Sequence, residues 1–198
     1  MKTLISPSKT LNFDNNINCN ITSKCRLIDY TSELHKILIS YSKNDLKNLM
    51  NVSDKIAELN YNRFKIWEDP SKSKTSKQAI YAFKGDVYSG LDAESIEEDK
   101  FDYLQNSLRI ISGYYGLLRP FDQILPYRLE MGTKLENENG NNLYKFWGDK
   151  ITDVLNEDLD KNDIIVNLAS DEYFKSINRG KIKSKIITPV FKEFKNGL

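Results

Sequence analysis

The sequence is poor in the residues from which soft-metal and redox sites are built. Its 198 residues include a single histidine, His35, and two cysteines, Cys19 and Cys25. The spacing of the cysteines fits no zinc or redox motif, so we expect two free thiols. His35 lies in a pattern typical of an amphipathic helix, which favours a boundary position over a role in a Ser-His-Asp triad. We therefore expect no metal site and no cofactor.

Long hydrophobic runs are also missing. No stretch approaches the roughly 18 apolar residues that a membrane span needs, and the apolar segment after Met1 is too short for a signal peptide. We therefore expect a cytoplasmic protein that does not contact membranes. Hydrophobic residues make up 39% of the chain and charged residues 29%, a balance typical of a folded domain rather than of disorder.

The charges nearly cancel overall but are unevenly distributed. The formal net charge is +1, so the chain as a whole does not indicate a polyanionic partner. Carboxylates dominate residues 92–102, whereas the segment from Lys175 to Lys195 is rich in Lys and Arg. Such asymmetry can produce a basic face on a neutral protein, although many charge runs are only solvated faces.

Helical and strand patterns alternate along the chain. Strand patterns cover residues 2–6, 79–83, 163–168 and 186–191. Helical patterns cover residues 30–49, 53–67, 97–111 and 143–155. This order predicts an α/β fold with a mixed, partly parallel sheet and surrounding helices. No repeat or domain boundary is visible, so we expect one monomeric domain over residues 1–198.

Several loops that follow predicted strands carry polar residues, and open α/β sheets often hold ligands there. The first is Ser6-Pro7-Ser8-Lys9-Thr10, whose hydroxyls and Lys9 ammonium can contact phosphate, although the loop lacks the glycines of a Walker motif. Lys84 and Lys175 follow later strands, and Arg128 lies two residues before Glu130 on an extended segment. Plain loops and an internal Arg128–Glu130 ion pair are the structural alternatives.

Two glycines separate apolar segments at Ser112-Gly113-Tyr114-Tyr115-Gly116. The pattern predicts a tight hairpin between two helices, similar to that of helix-hairpin-helix DNA-binding modules but longer by one residue, Tyr115. Glycines leave backbone N–H groups free to hold a phosphate oxygen, and Arg119 can add a bidentate contact. An ordinary helix–helix turn is the alternative, and the tyrosines can equally be core residues.

Seven segments, in order along the chain, resemble motifs of the bacterial YaaA peroxide-stress family. They are Leu4-Ile5-Ser6-Pro7-Ser8-Lys9-Thr10-Leu11, Val52-Ser53-Asp54-Lys55, Ala82-Phe83-Lys84-Gly85-Asp86-Val87-Tyr88, residues 112–120, Pro126-Tyr127-Arg128-Leu129-Glu130-Met131-Gly132, Phe146-Trp147-Gly148-Asp149 and residues 167–175. The resemblance implies a family-specific α/β fold with a helix-hairpin-helix element and a positively charged cleft. It also implies that the chain lacks a basic stretch with which family members usually continue past Phe191.

The functional expectation also comes from this resemblance. It implies a cytosolic response to hydrogen peroxide that protects DNA by binding the duplex, by limiting free iron, or by both. Carried onto this chain, the expected DNA-contacting residues are Lys9, Lys55, Lys84, Ser112, Gly113, Tyr115, Gly116, Arg119, Arg128 and Lys175. The residues alone leave an alternative open. An enzyme that acts on a nucleotide or a nucleic acid base can also form its cleft from Ser6, Ser8, Lys9, Asn167 and Lys175, which all follow predicted strands.

Overall fold

The structure is a computed structural model that describes residues 1–14, 17 and 19–192. Lys195, which belongs to the basic end of the sequence, lies outside the described residues. The described strands are β1 (Lys2–Ile5), β2 (Thr10–Leu11), β3 (Lys77–Gln78), β4 (Phe83–Lys84), β5 (Leu108–Ser112), β6 (Gly116–Leu118), β7 (Gln123–Ile124), β8 (Ile164–Asn167) and β9 (Lys185–Ile187). The described α-helices are α1 (Ile28–Leu38), α2 (Lys43–Met50), α3 (Asp54–Lys65), α4 (Ala79–Ala82), α5 (Asp86–Leu91), α6 (Phe101–Ser107), α7 (Leu143–Trp147), α8 (Lys150–Glu157) and α9 (Asp171–Phe174).

A five-stranded sheet in the order β6-β5-β1-β8-β9 forms the centre of the fold. Strand β1 runs parallel to both β5 and β8, and β9 is parallel to β8, whereas β6 returns antiparallel beside β5. The predicted α/β fold with a mixed, partly parallel sheet is therefore confirmed. Because four strands share one direction, their carboxyl ends lie along one edge of the sheet, and the loops after β1, β5 and β8 meet there.

The sheet is central because its strands carry the most apolar runs of the chain. Leu4 of β1, Ile110 of β5 and Ile165 of β8 are each fully buried. Helices pack around them with their polar faces outward, and α3 begins as the sequence predicts, with the Ser53 hydroxyl accepting a hydrogen bond from the Ile56 backbone N–H. The result is one hydrophobic core that extends across the sheet.

The helix predicted over residues 30–49 is two helices, α1 and α2, separated by residues 39–42. Three further local predictions need correction. Residues 79–83 are buried as predicted, but Ala79–Ala82 form one helical turn instead of a strand. The helix predicted over residues 97–111 ends at Ser107, and the following apolar residues form β5 beside β1. The helix predicted over residues 143–155 is divided at Gly148, whose φ of +50° lies outside helical geometry. Short apolar runs do not distinguish helix from strand, so pairing with β1 decides the conformation of residues 108–111.

The glycine hairpin is a β-hairpin, not a helix-hairpin-helix element. Ile110, Ile111 and Ser112 of β5 pair with Leu118, Leu117 and Gly116 of β6. The Ser112 hydroxyl accepts hydrogen bonds from the backbone N–H groups of Tyr114 and Tyr115 and so closes the turn. Gly116 has a φ of +73°, the left-handed conformation that favours glycine in a three-residue hairpin loop.

None of the helices in the described part of the chain has the length and apolar character that crossing a membrane requires.

Candidate functional site at the carboxyl ends of the parallel strands

The loops that follow β1 and β8 are joined by their serines. The backbone N–H of Ser170 donates a 2.9 Å hydrogen bond to Ser6 Oγ, and the Ser6 hydroxyl lies 3.3 Å from Ser170 Oγ. Tyr88 donates its phenolic O–H to the Ser6 carbonyl oxygen at 2.9 Å. Burial raises the pKa of Tyr88 well above its ordinary value, so this phenol remains a neutral donor. The first strand loop is thereby fixed in place from two sides.

An extended segment, residues 126–132, lies across the end of β5 and carries the charged residues of the site. It approaches Gly113 so closely that a Cβ atom at this glycine would lie 2.3 Å from the Leu129 carbonyl oxygen. The hydroxyls of Ser112 and Tyr127 share a 2.6 Å hydrogen bond, which ties the start of the segment to the end of the strand. These two contacts position the side chains of Arg128 and Glu130.

Glu130 is the centre of a three-residue charge cluster. Its Oε2 lies 2.9 Å from Lys9 Nζ and its Oε1 lies 3.1 Å from Arg128 Nη2. The Lys9 side chain is 63% exposed, whereas those of Arg128 and Glu130 are mostly covered, at 23% and 26%. Arg128 Nε is buried and has no hydrogen-bond partner among the described residues. Two cations therefore share one carboxylate at the end of β1.

A cleft of about 320 Å³ opens beside this cluster. It is lined by Arg128, Glu130 and Glu172 together with residues 49–51, which form the carboxyl-terminal end of α2 and its C-cap. Glu172 Oε1 accepts a 2.8 Å hydrogen bond from the Gly132 backbone N–H, so its carboxylate is held at the wall. Within the described ranges, no three His, Cys, Asp or Glu side chains are grouped to hold a metal ion.

Comparison with known proteins identifies the family. The family described as "Peroxide stress protein YaaA" matches residues 1–198. The chain belongs to this family. It is similar to a UPF0246 protein of Teredinibacter turnerae, with 47% identity over 100% of this chain and 78% of the relative. It is also similar to a UPF0246 protein of Shewanella baltica, with 50% identity over 100% of this chain and 78% of that relative. As a member of this family, the chain is a peroxide stress protein.

Of the family-derived candidate residues, Lys9 and Arg128 both pair with Glu130, and three other lysines have separate surroundings. Lys84 pairs with Thr10 across β2 and β4, and its Nζ lies 3.3 Å from Glu94 Oε1. Lys175 lies over the ring of Tyr144, 5.1 Å from its centroid, beside a separate cleft. Lys55 is exposed in the first turn of α3.

The hairpin residues do not contribute surface to this site. Ser112, Gly113, Tyr115 and Gly116 are all buried, so none of them presents an atom to a duplex in this structure. The reason is the β-hairpin itself, which places its turn in the core, where the Gly113 carbonyl accepts a hydrogen bond from Trp147 Nε1.

Arg119 lies at the opposite edge of the sheet, because β6 runs antiparallel to β5 and ends one residue before it. Its guanidinium donates to both the Asp122 carboxylate and the Lys24 carbonyl oxygen. The backbone N–H of Arg119 also donates to Asp122. These contacts make Arg119 an organiser of the loop after β6, separated by the sheet from Lys9 and Arg128.

Two residues of the site, Ser170 and Glu172, are absent from the candidates predicted from the sequence. Ser170 and Glu172 match the pattern of an N-cap and a first helical turn. Ser170 makes no side-chain cap hydrogen bond in α9 and contacts Ser6 instead. Glu172 bonds to Gly132 and lines the cleft. The signal that points to both is their position just after the strand pattern of β8.

Proposed function

We propose that this member of the family acts in the peroxide response by binding the DNA backbone at the carboxyl edge of the sheet. The observation that carries the proposal is the convergence of Lys9 and Arg128 on Glu130. The two cations come from segments far apart in the sequence, yet they meet where open α/β sheets typically hold ligands. The proposal includes action in the cytoplasm as a monomer.

The charge cluster suits a phosphate because the phosphate can replace the Glu130 carboxylate as partner of Lys9 at little cost. The exposed Lys9–Glu130 pair is worth at most about 1 kcal/mol, since water screens it. A phosphate group can replace the carboxylate as partner of Lys9 and accept charge-assisted hydrogen bonds from Arg128. Lys55 and Lys175 supply further cations on other parts of the surface, and neither forms an ion pair within the described part of the chain.

The test is duplex binding measured by fluorescence anisotropy at two salt concentrations. We expect binding at low salt that weakens as salt rises, because cations bound to phosphates release counterions. Lys9→Ala and Arg128→Ala should both weaken binding and reduce the salt dependence. Glu130→Gln should strengthen it, because the variant frees both cations from their competitor.

Lys161→Ala is the matched control. Lys161 is an exposed lysine just before β8, at the opposite edge of the sheet. Its removal changes the net charge by as much as the loss of Lys9 but leaves the cluster intact. Equal weakening by Lys161→Ala and Lys9→Ala, or no duplex binding at low salt, would refute the proposed interface.

A second candidate function is favoured by the cleft between Glu130 and Glu172. Its volume of about 320 Å³ falls within the range of small-molecule sites, and two carboxylates and an arginine line it. Such a set can bind and act on a nucleotide or a nucleic acid base. Incubation with nucleotides and nucleosides, followed by chromatography, tests this function. Turnover that Glu172→Gln abolishes without weakening duplex binding would assign the cleft to catalysis instead.

A further inference from the structure

Lys77 occupies an unusual position for a lysine. It begins β3 and pairs with Ile124 of β7, and only 7% of its surface is exposed. It lines the wall of a cleft of about 400 Å³, together with Phe13, Ile17, Lys74 and Pro126. None of these residues lines the clefts beside Lys9 or Glu130. The cleft is therefore a separate concavity that the proposed function does not use.

The amine of Lys77 lacks a carboxylate partner in the described part of the chain. Its Nζ donates a 3.1 Å hydrogen bond to the carbonyl oxygen of Asn12, which is uncharged. Burial and, to a lesser extent, the like charge of Lys84 lower the pKa of Lys77, and the carboxylates of Glu94 and Asp14 only partly oppose them. A desolvated lysine beside another cation is the usual arrangement of a nucleophilic amine.

The other walls of the cleft indicate what such an amine can meet. Phe13, Ile17 and Pro126 supply apolar surface, while the exposed side chains of Lys74 and Thr75 supply a cation and a hydroxyl. We propose that Lys77 is a nucleophilic lysine that forms an imine with a small aldehyde or ketone carrying an anionic group. Lys74 pairs with the anionic group, and the apolar wall covers the body of the ligand.

The reaction needs no oxidant or reductant. The lone pair of neutral Nζ attacks the carbonyl carbon, and the carbonyl π electrons move to oxygen, which takes up a proton to give a carbinolamine. Nitrogen then forms the C=N bond as the hydroxyl leaves with a further proton. The two protons lost from the amine balance the two that leave in water, so amine and carbonyl compound give imine and one water molecule.

The experiment uses pyridoxal 5′-phosphate as the probe aldehyde on the whole chain near neutral pH. Imine formation is followed by its absorbance, the bond is fixed by borohydride reduction, and the modified residue is located by peptide mass spectrometry. We expect the label on Lys77 in preference to the exposed Lys72 and Lys74. This preference should decrease as the pH approaches the ordinary lysine pKa of about 10.4, where exposed amines also become neutral.

Three variants sharpen the test. Lys77→Arg retains the positive charge but has no nucleophilic amine, so the imine absorbance should be lost. Lys74→Gln should raise the half-saturating concentration of pyridoxal 5′-phosphate but not that of pyridoxal, which lacks the phosphate, and Lys72→Gln should change neither. A wild-type label spread over exposed lysines with Lys77 unmodified would overturn the proposal even if Lys77→Arg fails to fold. An imine that persists in folded Lys77→Arg would do the same.

Discussion

Replacing Gly113 with alanine should separate two backbone segments on which the site depends. The new Cβ would lie 2.3 Å from the Leu129 carbonyl oxygen and 3.0 Å from the Glu130 carbonyl carbon. Ordinary contacts begin near 3.4 Å, so segment 126–132 has to retreat by roughly 1 Å. Both neighbours are backbone atoms, and therefore no side-chain rotation can relieve the clash.

The cost has two parts. Overpacking of a dense interior costs about 1–3 kcal/mol. The displacement also strains the 2.6 Å hydrogen bond between Ser112 and Tyr127 and the 3.0 Å bond from Trp147 Nε1 to the Gly113 carbonyl. Each buried hydrogen bond contributes about 1 kcal/mol. We expect Gly113→Ala to lower the free energy of unfolding by about 3 kcal/mol.

Urea denaturation followed by tryptophan fluorescence measures this change. With an m value of about 2–3 kcal/mol per molar urea, the midpoint should fall by about 1 M or more. Gly90→Ala is the matched control, because Gly90 is exposed in α5 and no atom lies within 4 Å of a Cβ there. That variant should gain up to about 1 kcal/mol from helix propensity. An unchanged midpoint for Gly113→Ala would show that segment 126–132 is not held by this contact.

The remaining predictions concern buried polar groups. Tyr114→Phe should leave the free energy of unfolding unchanged or raise it slightly, because the buried Tyr114 hydroxyl has no hydrogen-bond partner among the described residues. Tyr115→Phe should lower the free energy of unfolding, measured by chemical denaturation, by about 1–3 kcal/mol, because the Tyr115 hydroxyl makes three hydrogen bonds. Burial opposes ionisation of Asp158, but hydrogen bonds and charge from Arg109 and Arg26 outweigh it and hold its pKa below the ordinary value. The resulting stability is present above about pH 4 and is lost as pH falls below it, so Asp158→Asn should cost about 3 kcal/mol at neutral pH and flatten the acid limb of a stability–pH profile.

The sequence was sufficient to predict those parts of the fold that depend on local residue patterns. Strands β1 and β8 consist of short apolar runs followed by polar loops, and the loops indicated the edge where Ser6 and Ser170 meet. The helix over residues 53–67 was predicted from the spacing of its apolar residues, and Ser53 is its N-cap. These features depend on neighbours within a few positions, which a single sequence displays.

Features that depend on distant partners could not be predicted. Residues 108–111 fit a helix as well as a strand until β1 is available to pair with them. Arg109 is a buried cation inside β5, and its ion pair with the distant Asp158, together with hydrogen bonds to the carbonyl oxygens of Gln105 and Leu108, explains its burial. The glycines at 113 and 116 indicated a turn correctly, but their burial depends on packing against Leu129 and Trp147.

The Ser6–Ser170 contact has a consequence for the order in which the parts of the candidate site come together during folding. The two residues are separated by 164 positions, so the loops join only after β8 has taken its place beside β1. Synthesis delivers Lys9 among the first residues and Glu172 among the later ones. Contacts between such distant residues form late in folding, because a long loop must close first. A chain that stops before β8 retains residues 49–51, Arg128 and Glu130 of the cleft but lacks Glu172, so the cleft is complete only after β8 has joined β1.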